Sequence, residues 1–169
     1  MHLHKQLVEF YVQFHQEQHY FLCHDILEEA WKAQNEFSKH DPVVSLILVA
    51  TGCYHYRRGN FKGAHRSFKK ALKTLQRFDS TVYSQLGLQY HLFQQEVSQL
   101  ILDAESEIPF SPIMLPLTDE MTEEILKYYP HYRPTTTINA APFILHHHKL
   151  RDRAEVIAAR AQAQYNKKR

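Results

Sequence analysis

Three side chains suited to acid-base or metal chemistry sit at telling places in this sequence: His24 and Glu28 lie four residues apart, and His55 follows in a later stretch. At about 100° per residue, His24, Glu28 and Trp31 share one side of a helix with Tyr20 and Leu27, so imidazole and carboxylate are expected to point coreward. Asp25 and Glu29 point away, which divides the pair Glu28-Glu29 between interior and solvent. On a second helix, Leu48, Thr51, Gly52 and His55 share a face, and Gly52 admits a close approach by another backbone. Two imidazoles and a carboxylate can hold Zn²⁺ or Fe²⁺ with an open position, or act as acid and base in proton transfer. They can equally form a structural clamp, because a buried Glu is costly unless a histidine pairs with it. Against a divalent metal at His24, Glu28 and His55 stand the lack of an obvious ligand on a third helix and a spacing that is not HExxH. No cofactor is called for. On each reading His24 or His55 should lie within hydrogen-bonding reach of Glu28. His15 and His19 are further candidates that nothing in the sequence aims at this site.

A second chemistry is electrostatic. Lys62, Arg66, Lys69, Lys73 and Arg77 step by four, three, four and four, drawing a cationic stripe opposite the apolar face of Ala64, Phe68, Leu72 and Leu75. Arg57 and Arg58 adjoin it. Such a stripe suits an anionic partner, whether a phosphate backbone or the chain's own acidic middle, and is equally a solvated helix face. No aromatic side chains interleave with it to stack bases. The charge blocks are sharp: residues 57–77 carry eight Lys/Arg and no acid, whereas 78–126 carry nine acids and no Lys or Arg.

These groups must be positioned by helices. Up to about residue 107 apolar residues recur at three and four, which predicts helices near 3–16, 19–35, 42–58, 61–77 and 81–106. Asp41-Pro42 supplies an N-cap and an N1 proline, and Gly59-Asn60 breaks the third helix from the fourth. Residues 108–117 hold three prolines among large apolar side chains, so they should run extended and strap the bundle. Thr118 then caps a short helix with Asp119 and Glu120 in its first turn, ending before Pro130. Residues 130–147 read as irregular, and 149–169 resume a basic helical pattern. The run His146 to His148 invites adventitious transition metals.

Length and composition set the frame. The chain has 169 residues, 44% hydrophobic and 22% charged, with a net charge of +2 and only four glycines. That glycine count excludes a Rossmann or P-loop site, which needs a Gly-rich loop. No apolar run reaches the roughly 18 residues of a membrane span, and no leader is read at the N-terminus, so a cytoplasmic protein is expected. Cys23 and Cys53 read as buried thiols.

Two stretches together resemble the DUF309 family, a domain of unknown function. FLCHDILEEAWKAQ is similar to its first signature through Phe21, His24, Leu27, Glu28 and Trp31. ATGCYHYRRGNFKGAHRSFKKAL is similar to its second through His55, Gly59, Asn60, Gly63 and Ala64. The resemblance covers roughly residues 5–117 and implies a compact all-helical fold, with no activity attached. The second stretch is also similar to half of a tetratricopeptide repeat, and no second copy follows at that period.

The expected protein is therefore all-α: an antiparallel bundle of five to six helices, strapped by 108–117, with residues 118–169 as a C-terminal extension. Its expected role is to bind an unidentified protein or small molecule at the His24, Glu28, Trp31, His55 site. The alternatives are a small enzyme at that site and polyanion binding through the basic fourth helix. The oligomeric state is left open.

Overall fold

The structure, a computed structural model, describes residues 3–138. Seven α-helices are present among them: α1 (His4–Val12), α2 (Tyr20–Lys32), α3 (Pro42–Arg57), α4 (Phe61–Leu75), α5 (Ser80–Gln85), α6 (Tyr90–Glu105) and α7 (Asp119–Tyr128). The expected C-terminal helix and the His146–His148 run lie outside the described residues.

The centre is α3. Its buried residues, including Val43, Leu46, Val49, Ala50, Cys53 and Tyr56, go all the way round, as a helix enclosed by others requires. α2 and α4 flank it, α6 packs on α4, and α1 joins α2 to α7. Gly52 is what lets α4 close on α3: a Cβ there would lie 2.4 to 2.9 Å from the Phe68 ring. The close approach expected at Gly52 is thus made by an aromatic side chain and not by backbone. α4 buries Ala64, Phe68, Ala71 and Leu75 and turns its other side to water.

The single helix expected over 81–106 is two. Gly87, at φ +84°, breaks the chain between α5 and α6, a conformation other residues adopt only under strain. The break is used by the strap. Gln89 N–H donates to the Pro116 carbonyl (2.9 Å) and Thr118 N–H to the Gly87 carbonyl (2.8 Å), flanking an isolated bridge between Leu88 and Leu117. At its other end, Tyr56 Oη donates to the Ile108 carbonyl. Phe110 packs edge-on against Tyr20 and Tyr56 at 5.8 and 5.4 Å. α7, capped by the Thr118 hydroxyl accepting from Met121 N–H (3.2 Å), lays Met121 and Ile125 into the same core.

α1 ends in a π-helical turn, Gln13–Glu17, closed by Gln18 in the left-handed region at φ 55°. Such turns insert extra backbone and often mark a special contact. Here that contact is with the chain after α7. Gln18 Nε2 donates to the Thr137 carbonyl (2.6 Å), Thr135 N–H to the His15 carbonyl (3.0 Å), and Arg133 N–H to Gln16 Oε1 (3.0 Å).

Candidate functional site

On α2 the buried side chains are Tyr20, Cys23 and Leu27, and this sets the helix's phase. Relative to the middle of that face, His24 and Glu28 lie roughly 70° and 110° round the helix. They sit at its edge. The coreward orientation expected for them is corrected: their side chains are 25% and 29% exposed, and they line an open surface depression with Asp25, Glu29 and Lys32. His24 Nε2 meets Glu28 Oε2 at 2.5 Å, while its Nδ1 faces Asp25 Oδ1 at 3.2 Å. Lys32 Nζ takes the other Glu28 oxygen at 2.6 Å. The result is a line of polar contacts along one helix, Asp25, His24, Glu28, Lys32.

Trp31 works elsewhere. Its indole N–H donates to Asp41 Oδ2 (2.9 Å), the same oxygen that accepts from Ser38 N–H (2.8 Å), and its ring packs on Phe37. Trp31 thereby fastens the loop that leads into α3.

His55 lies in the last turn of α3, where its Nδ1 faces the Asn60 amide nitrogen at 3.3 Å. Asn60 N–H donates to the His55 carbonyl (2.9 Å), and Asn60 Oδ1 caps α4 by accepting from Gly63 N–H (3.0 Å). The His, Asn and Gly of the second motif thus build the joint between α3 and α4. Among the described residues no group of three or more His, Cys, Asp or Glu side chains is placed to hold a metal ion, so His24, Glu28 and His55 do not form a ligand set. An aromatic contact links the two helices here: Phe21, 5.7 Å from the His24 ring, packs on Tyr54 at 5.2 Å.

The basic residues divide into two groups. Arg57 Nη1 donates to the Gln18 carbonyl (2.8 Å) and its guanidinium lies 4.7 Å over the Tyr20 ring. Burial lowers its pKa, and Tyr20 is the first of the groups that oppose this. Arg58 Nη1 donates to Tyr54 Oη (2.8 Å) and lies 5.1 Å over that ring. Both are engaged at the α3–α4 joint. The other five, Lys62, Arg66, Lys69, Lys73 and Arg77, are all exposed, along with Lys70. None of the ion pairs among the described residues reaches them. The acidic middle of the chain does not occupy the stripe there.

Sequence reasoning misses two features. His40 stands at the end of the stripe, its pKa lowered by Arg77 first, then by lost hydration, Lys39 and Lys73, with Asp41 opposing. An antiparallel α3–α4 pair brings the loop before α3 to the end of α4, and that is the signal available. His15 has none. It is 1% exposed, and burial pushes its pKa down to about 4. Leu115 N–H donates to Nε2 (2.9 Å), so the ring's proton sits on Nδ1 and is donated to Tyr132 Oη at 2.7 Å.

Residues 7–67 match the family described as Domain of unknown function (DUF309). The chain is 32% identical over 162 residues to "Uncharacterized protein YpuF" of Bacillus subtilis (strain 168), covering 92% of this chain and 91% of that protein. The family match ends short of Leu117, whereas the likeness to YpuF must run past it into the C-terminal extension. No solved structure matches. With the first signature stretch and the His55, Gly59, Asn60, Gly63 and Ala64 of the second inside the matched segment, and a relative alike over nearly its whole length, the chain belongs to the DUF309 family.

Proposed function

We propose that this protein binds an anionic macromolecule through the outward face of α4. One observation carries the reading: five cations, four at successive turns of α4 and Arg77 in the turn that follows it, all exposed and none ion-paired within the described residues, while the opposite side of the helix is locked into the core. A cationic row of this kind attracts a polyanion by releasing its counterions. The depression at His24 supports the same assignment by contrast, because Glu28 is already engaged by His24 and Lys32 along a single helix.

The test is binding of heparin as a generic polyanion, followed by fluorescence anisotropy across a salt series. Affinity should fall steeply as salt rises, and Arg66→Glu with Lys69→Glu should abolish it at unchanged helicity. Glu28→Gln serves as the control: it should leave heparin affinity unaltered and lower stability by only about 0.5 kcal/mol, the worth of a surface pair four residues apart. Loss of binding in Glu28→Gln, with none in the double reversal, would move the site from α4 to α2.

A further inference from the structure

We infer that the anionic partner is a nucleic-acid duplex, gripped along its backbone without reading bases; this rests on the binding role proposed for α4 and narrows it. Three observations select among polyanions. The first is shape. From Lys62 to Lys73 four cations run along one rigid helix for about 16 Å at 1.5 Å per residue, with neighbours about 4.5 to 6 Å apart along the axis, and Arg77 continues the row from the turn that follows α4. A duplex offers one charge per roughly 1.7 Å of its axis, so a straight row of that length meets phosphates throughout.

The second observation is what the face lacks. A protein partner is held by desolvated apolar or aromatic anchors inside a polar rim. The large exposed hydrophobic residues among the described ones, such as Leu92, Leu102, Leu126 and Tyr128, lie on α6, α7 and the connecting segments, and none is on α4. A single strand is held by aromatic rings under its unstacked bases. The α4 aromatics are Phe61, partly buried in the core cluster, and Phe68, fully buried. What remains on the face is suited to phosphates alone.

The third observation is where the row ends. Beyond Lys73 and Arg77 the loop before α3 adds Lys39 and His40, and Arg77, Lys39 and Lys73 together disfavour a proton on His40, with Asp41 the one group favouring it. A phosphate placed among these cations reverses the balance. By reciprocity, a duplex that lies along the whole row makes His40 take up a proton more readily, and duplex affinity rises as His40 becomes protonated.

The experiment uses the full chain and three probes of similar charge: a mixed-sequence 24-base-pair DNA duplex, a 48-base single strand without self-complementarity, and polyglutamate of matched charge. The duplex should bind at least tenfold more tightly than either other probe, independently of its sequence, with a slope of log affinity against log salt of about −4, as four to five phosphate contacts require. Arg66→Glu with Lys69→Glu should reduce duplex affinity at least tenfold and flatten that slope, and the His40 proton signals should titrate at higher pH when duplex is bound. Equal binding of polyglutamate, or preference for the single strand, would overturn the duplex assignment while leaving an anion-binding α4 intact. Duplex binding unmoved by the double reversal but lost on reversing Lys167 and Lys168 would also overturn it. Failure of all three probes and of heparin would remove the binding role itself.

Discussion

His15 shows how much one side chain can join. Its ring bonds the strap through Leu115 and the segment after α7 through Tyr132, while its carbonyl takes Thr135 N–H. Because Nε2 must stay an acceptor, the ring has to stay neutral. Above pH 6.5 it is neutral folded and unfolded alike. Between 6.5 and about 4 the unfolded chain takes a proton that the folded one refuses, so stability falls with pH, by about 3 kcal/mol at most, and levels off below 4. Urea midpoints from pH 8 to pH 4.5 should show this decline. His15→Phe should shallow it, at a cost of about 1 to 3 kcal/mol at pH 8 for the stranded Leu115 N–H. An equal decline in the Phe variant would assign the pH dependence to other groups. None of this is legible in the sequence, since the partners of His15 lie 100 and 117 residues downstream and no local pattern names them.

At the scale of elements, period and punctuation carry far. Gly59-Asn60 and Thr118 divide or begin helices as their chemistry says they should, and α3 begins at Pro42 as expected, although the Asp41 carboxylate makes no capping bond and accepts instead from Trp31 and Ser38. The break at Gly87 is hidden because Leu86 and Leu88 continue an apolar pattern across it. The phase of α2 misleads for a related reason: Tyr20 and Leu27 are buried with Cys23 beside them, and taking Trp31 as coreward rotates the face toward His24 and Glu28. The α3–α4 contact yields a sharp test. Gly52→Ala should destabilise by about 1 to 3 kcal/mol, although alanine favours a helix by about 1 kcal/mol, because its methyl meets the Phe68 ring. Phe68→Leu in the same chain should recover part of that loss, and a double-mutant cycle would measure the coupling. Additive effects would mean that the two helices adjust independently of this contact.

For the whole molecule, the bundle is closed by the chain beyond α6. The strap crosses from Tyr56 to the Gly87 break, and α7 covers α1 with Met121 and Ile125. A chain ending at Leu117 should therefore keep the helicity of α1 to α6 but lose cooperative thermal unfolding and expose apolar surface to a dye such as ANS. A sharp transition at the parent temperature would show that α7 adds nothing to the closure. The π-helical turn carries one more consequence, for the order of events during synthesis on the ribosome. Gln16 and Gln18 bond residues 117 to 119 positions later, so α1 cannot complete its own end until nearly all of the described chain has been made. α2, α3 and α4 can pair meanwhile through shorter separations. The helix made before the other six is thus among the last of them to reach its final form.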